Sequence, residues 1–196
     1  SIINLPFVDR VENNPDLVIF ELNNQVSLVT NRDIELLNIS TKLTERDIFY
    51  KLKSNLINYG QTQFIKKIEQ ENKDIKLEIE ILLANKRAAV QNDLQKNIQK
   101  FSDGRITFKL LDSIQIEVVN KGSKSAYYSL LDIQPNYITS VLVPRRTDSP
   151  SDYYIEPGQK IKIPIIFRLD PPFGQELFKL IASRNPIDLR SLEQKR

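Results

Sequence analysis

Eight of the ten prolines lie after residue 134, and all of these but Pro164 and Pro186 fall between short β-prone runs. A proline has no backbone N–H and a fixed φ, so it cannot sit in the middle of a hydrogen-bonded ladder. The runs they separate are "RITFKLL" (105–111), "IQIEVVN" (114–120), "AYYSLLDI" (126–133), "YITSVLV" (137–143), "QKIKIPIIFRL" (159–169) and "ELFKLIAS" (176–183). Short strands at this spacing, with turn chemistry between them, predict an antiparallel sandwich or barrel. Pro135, Pro144, Pro157, Gly158, Pro171, Pro172 and Gly174 are read as structural turn residues, with Gly174 at positive φ. Pro164, inside a run, is expected at an edge or a bulge.

The first half has a different texture. In "PDLVIFELNNQVSLVT" (15–30) two alternating apolar runs flank Asn23-Asn24, and asparagine tolerates the positive φ of a tight hairpin turn. "DIELLNIS" (33–40) is a third strand or a short turn. In 43–60, Ile48, Phe49, Leu52, Leu56 and Tyr59 recur at helical spacing. Thr44 is placed to cap this helix, with Glu45 and Asp47 in its first turn and Gly60 at its end. Residues 61–70 add a turn or two. "DIKLEIEILL" (74–83) alternates strictly and predicts a half-buried strand. Residues 85–104 form either a helix with Val90, Leu94, Ile98 and Phe101 on one stripe, or a loosely attached surface segment.

These readings give an α+β chain: a smaller α+β segment over 1–84, a polar connector or helix over 85–104, an antiparallel immunoglobulin-like β-sandwich over 105–190, and a tail over 191–196. The connector, rich in lysine, is the expected first site of tryptic cleavage, near Lys86, Arg87, Lys96 or Lys100. No internal repeat is visible.

Composition narrows the chemistry. The chain has no Cys, His, Met or Trp. It therefore offers no disulfide, no thiolate nucleophile, no imidazole base and no sulfur or nitrogen metal ligand. A Ser-His-Asp or Cys-His arrangement cannot be assembled from these residues alone. Ser1 is expected to be an internal residue or a processed end of a longer chain. No run approaches the 18 apolar residues of a membrane span, and a cysteine-free chain suits any compartment. The net charge of +3 is too small to point to nucleic acid. It is unevenly spread: residues 1–104 carry 14 basic and 15 acidic side chains, residues 105–196 carry 14 and 10.

The candidate sites are correspondingly modest. No catalytic, cofactor or metal residue is predicted. Asp148, Asp152 and Glu156 cluster near a turn without calcium-loop spacing, and Asp74, Glu78 and Glu80 read as the wet face of a strand. Arg145-Arg146, just after a strand, could hold a partner's acidic loop, although solvation of a turn is the plainer reading. Tyr127, Tyr128, Tyr137, Tyr153 and Tyr154 form an aromatic series that could stack on single-stranded nucleic acid. Adjacent tyrosines in a strand face opposite ways, so one of each pair is expected in the core.

Three stretches carry a resemblance: "AYYSLLDIQPNYITSVLVP" (126–144), "DYYIEPGQKIKIPIIFRLDPPFGQELFKLIAS" (152–183) and "PIDL" (186–189). They resemble the β-rich module of unknown function that follows caspase-like peptidase domains in many bacterial proteins. The shared pattern is an aspartate-x-x-proline turn (Asp132 to Pro135), a strand ending in Pro144, a Pro157-Gly158 turn, and a Pro-Pro-aromatic-Gly turn (Pro171 to Gly174) before "LIAS". The hairpin, helix and strand of 12–84 are similar to what lies between peptidase and module in those proteins. There "LKSNLINYGQTQF" departs from the usual His-Ile-Ala-Arg type core. The resemblance implies a non-catalytic accessory region that docks a protein partner or restrains an upstream peptidase domain. The alternatives are a free-standing extracellular adhesion-type sandwich and an enzyme using carboxylate chemistry.

Overall fold

The computed structural model describes residues 5–6, 8–68, 72–84, 99–100, 106–108, 113–168 and 174–194. Strands β1 (Leu17–Leu22) and β2 (Gln25–Thr30) form the expected hairpin, with Asn23 at φ 50° and Asn24 at φ 60°. Two successive positive-φ residues match the right-handed twist of the flanking strands. β3 (Glu35–Ser40) pairs with β2 and completes an antiparallel sheet in the order β1-β2-β3.

Helix α1 (Glu45–Lys67) begins where the sequence places it: the Thr44 side chain accepts a hydrogen bond from the Asp47 N–H at 3.2 Å. It does not end at Gly60. Leu52, Leu56, Tyr59, Thr62 and Ile65 are all buried, so apolar contacts on both sides of Gly60 carry the helix through it. The cost of an interior glycine is only about 1 kcal/mol, less than burying one large side chain returns. The first half of the buried stripe, Leu52 and Leu56, packs with Leu28 of β2. The second half reaches elsewhere: Ile65 packs with Leu131 and Ile133.

Those two residues belong to β8 (Ala126–Ile133), the centre of a second sheet. β12 (Leu177–Ser183) pairs along one edge of β8, and β10 (Tyr154–Ile155) and β9 (Thr139–Val143) follow one another along the other. A third sheet has the order β11-β7-β4, from β11 (Lys160–Arg168), β7 (Ser113–Asn120) and β4 (Leu77–Leu83). All pairings are antiparallel. A two-residue ladder joins β5 (Gln99–Lys100) to β6 (Ile106–Thr107).

The β7 and β8 sheets pack face to face. Ile116 and Val118 of β7 meet Tyr128 and Leu130 of β8, Val143, Tyr153, Ile155 and Ile163, and the partly buried Leu77 and Ile79 of β4 flank them. The far face of β8 is covered by Ile65 of α1 and by Leu189 and Leu192 near the C-terminus. β8 is thus enclosed on both sides, which explains a run with six consecutive buried residues, 128–133. The architecture is antiparallel β with one helix, an α+β class, in a sandwich-like arrangement.

β4 crosses the division made at residue 84. Its residues 77–83 pair in unbroken register with residues 114–120 of β7, so a strand grouped with the first half completes a sheet of the second. Alternation identifies a half-buried strand but says nothing about its neighbour. Pro164 lies in the edge strand β11, where the pairing with β7 shifts register between Lys162 and Ile166. Both expected remedies are used at once. Most of the 85–104 connector and of the 105–111 run lies outside the described residues, as do Val90, Leu94, Ile98, Phe101, Pro171 and Pro172.

Candidate docking groove

The turn residues act on one another. Gly174 has φ 151°, and a Cβ built on it would lie 2.8 Å from Pro135 Cβ. Two turns almost forty residues apart in sequence therefore touch, and only a residue without a side chain fits between them. Pro157-Gly158 is a turn with Gly158 at φ 74° and a Gln159 N–H to Glu156 C=O bond of 3.1 Å. That geometry is a type II turn with proline and glycine where their φ preferences put them. The Val143–Pro144 peptide is cis.

Beside the Pro157-Gly158 turn, whose Gly158 N–H donates to the Asn120 carbonyl at 3.0 Å, lies a residue that the sequence reading missed. Asn120 is fully buried, and its Nδ2 donates to the carbonyls of Lys124 (2.9 Å) and Ile155 (3.3 Å). Its Oδ1 accepts from the Gly122 N–H at 2.9 Å. One side chain thus fastens the β7–β8 turn and the end of β10. An asparagine at the end of a strand carries no periodic signal that would set it apart from a solvated turn residue.

Arg145 and Arg146 are both engaged within the chain. Arg145 Nε donates to Asp148 Oδ2 at 2.6 Å, and Arg146 Nη2 donates to Glu193 Oε2 at 3.1 Å. Arg190 Nη1 donates to the carbonyls of Arg145, Arg146 and Asp148, while its Nη2 bonds Asp188 at 2.6 Å. The cluster ties the 145–152 loop to the C-terminal turn. The Arg145 hydrogen bond, aided by the Tyr153 hydroxyl, holds the Asp148 carboxyl at about 2, and Arg190 holds Asp188 at about 2. Asp152 caps the adjacent short 3-10 turn through the Ser149 N–H. No group of three carboxylates suited to a metal ion occurs among the described residues.

The tyrosines divide as the alternation of a strand requires. Tyr128 and Tyr153 are in the core, edge to face at 5.7 Å, and burial pushes the Tyr128 phenol up to about 12. Tyr127 and Tyr154 meet outside with their rings tilted, centroids 5.1 Å apart, and Tyr154 is exposed. Tyr137 is buried at φ 64°, its ring against Tyr59 and beneath Lys66. Glu80, Glu117, Lys160 and Lys162 form an ion-pair ladder across β4, β7 and β11, with Lys160 Nζ 2.6 Å from Glu80 and 3.5 Å from Glu117.

Among the described residues, a groove of about 340 Å³ lies at the C-terminal end of α1. Its walls are Ile68, Ile75 and Leu77 on one side and Leu180, Ile181 and Ala182 on the other. Consecutive residues of β12 line it, so the groove runs along the strand's edge rather than over one face. Among the described residues that edge has no strand partner, since β12 pairs only with β8, and β4 only with β7. Lys179 closes one end: its Nζ donates to the carbonyls of Ile68 (2.6 Å) and Lys66 (3.3 Å), satisfying the last turn of α1. Lys76 lines the groove too, at 3.2 Å from Glu78. Asp74, near the same rim, is bound by Lys124 at 2.9 Å with Arg184 close by, and the Lys124 hydrogen bond lowers its pKa. The groove offers a strand edge without a partner among the described residues, apolar walls and a rim richer in cations than in anions.

Residues 107–186, β6 through β12, match the sequence model of a family described as a domain of unknown function, DUF4384. The match covers 80 of 196 residues and leaves out β1–β3, α1, β4 and β5. No curated protein and no solved structure matches the chain.

Proposed function

We propose that this chain is a non-catalytic docking region of a bacterial caspase-like cysteine protease, and that it positions or restrains the peptidase domain by taking up an extended segment of a partner protein. The association with caspase-like proteins rests on the resemblance of 126–144, 152–183 and 186–189. The non-catalytic role rests on a sequence without Cys or His. On the same footing, the packed β7 and β8 sheets are read as an immunoglobulin-like sandwich.

The observation that carries the docking reading is the groove along the edge of β12. A segment laid there gains main-chain hydrogen bonds from the open strand and apolar contacts from Leu77 and Ile181, as in other cases of strand addition. The cations at the rim favour a segment carrying carboxylates. The test uses the chain with a separately produced caspase-like peptidase domain from a protein that carries the same kind of module. Binding is followed by calorimetry and cleavage by a fluorogenic peptide. Expected are saturable binding and a changed peptidase rate, both lost in Lys76→Glu and in Ala182→Arg, which fills the groove. Binding that survives both variants with unchanged affinity, or no binding at all, refutes the reading. Peptide turnover by the chain alone, surviving repurification, refutes the non-catalytic part.

A further inference from the structure

The hairpin strand β1 reads Leu-Val-Ile-Phe-Glu-Leu, apolar on both faces like a strand enclosed in a core. It is not enclosed. Val18 is 43% exposed, Ile19 42%, Phe20 42% and Leu22 62%. Among the described residues β1 pairs only with β2, so its outer edge is open. Soluble proteins guard such edges with charge, proline or a covering element. Here Glu21 is the one charged residue in the strand.

We infer that β1 is a dimerisation edge: two copies of the chain pair antiparallel through it and join two three-stranded sheets into one of six strands. The turn geometry fixes what the edge can do. A two-residue hairpin directs the N–H and C=O groups of Leu22, Phe20 and Val18 toward β2, and leaves those of Leu17, Ile19 and Glu21 pointing outward. A two-fold axis perpendicular to the sheet places residues of the same face opposite each other. Centred on Phe20, it sets Phe20 against Phe20 of the second copy, and Val18 against Leu22. Ile19 lies opposite Glu21, where the outward backbone groups exchange hydrogen bonds. All three exposed apolar side chains of the outer face then meet apolar partners, and no like charges stand directly opposite.

The area is consistent with a reversible pair. Four side chains at this exposure present on the order of 300–400 Å² per copy, the size of the largest patch on an ordinary monomer. With the strand backbones, two copies bury on the order of 1,000 Å² in total, at the lower end of specific interfaces. An isologous pair uses up both β1 edges, so assembly through β1 stops at two. The net charge of +3 opposes it only weakly.

Sedimentation velocity across roughly micromolar to millimolar chain should show a monomer–dimer equilibrium. Phe20→Lys should raise the dissociation constant at least tenfold with unchanged circular dichroism. Because the chain has no cysteine, a single introduced thiol reports the register. Phe20→Cys, facing its own copy, should form a disulfide-linked dimer under oxidised glutathione at least tenfold faster than Leu22→Cys. A monomer at every concentration overturns the inference, and so do open-ended aggregates or equal cross-linking at both positions. Since β1 is remote in the fold from the β12 groove, the outcome is independent of the docking test.

Discussion

Gly174 and Asn120 are the residues on which the turns depend. Gly174 combines a positive φ with a Cβ position 2.8 Å from Pro135. Gly174→Ala should cost about 1–3 kcal/mol, from strain and steric overlap together. Urea denaturation should show the penalty falling in a Pro135→Ala background, where the steric part is relieved. Asn120→Ala removes three hydrogen bonds of a fully buried side chain, one of them buried and two part-buried, which should cost roughly 2–4 kcal/mol. At the same scale, Asp148 and Asp188 both have folded pKa values of about 2, below the ordinary carboxylate value. A carboxyl lowered by folding stabilises the native state above its unfolded pKa, and that contribution is lost as pH falls through the folded value. Thermal stability should therefore decline between about pH 4 and pH 2. Asp148→Asn and Asp188→Asn should flatten that limb and lower stability at neutral pH. An unchanged acid limb in the double variant shows that the arginine cluster contributes nothing.

Among the elements, α1 has the most to lose at its ends. Thr44→Ala removes the acceptor for the Asp47 N–H and should cost about 1 kcal/mol. Lys179 on β12 holds the carbonyls of Lys66 and Ile68, so its truncation acts on a helix that it is not part of. Lys179→Met should speed amide hydrogen exchange in the last turn of α1 while leaving the first turn unchanged. Exchange that rises uniformly along the helix places the lysine's effect elsewhere. The helix also shows where local signals stop. Thr44 was legible because a cap is set by two or three neighbouring residues. Gly60 pointed to an end that the buried Tyr59, Thr62 and Ile65 overrule.

For the whole molecule, α1 is the element that joins the parts. Its N-terminal half packs on the hairpin sheet and its C-terminal half on β8. Thr62 Oγ1 donates to the Tyr137 carbonyl at 2.8 Å, and Gln194 Nε2 donates to the Asn58 carbonyl at 3.2 Å. β4 adds a second link by pairing with β7. A fragment of residues 105–196 lacks both, leaving one edge of β7 unpaired and the outer face of β8 without the cover of Ile65. Circular dichroism and thermal melts should show it unfolded, whereas residues 1–196 melt in one transition. A cooperative melt for the short fragment restores the division of the chain into separate halves.

The longer strands among the described residues, the Asn23-Asn24 turn, the place of Pro164 and the sign of φ at Gly174 were legible in the sequence, whereas the two-residue strands β5 and β10 were not. Each legible feature follows from alternation over a few residues or from the restricted φ of one residue type. The partner of β4, the double enclosure of β8, the Asn120 fastening and the engagement of Arg145 and Arg146 were not. Most of these depend on contacts between residues roughly thirty to seventy positions apart, and side-chain period carries no information about which strand or loop lies opposite. The same limit applies to the candidate sites. The sequence specified most of the strands, but only the tertiary pairing decided that the edges of β1 and β12 have no strand partner among the described residues, because an edge is open or closed by what the rest of the chain places beside it.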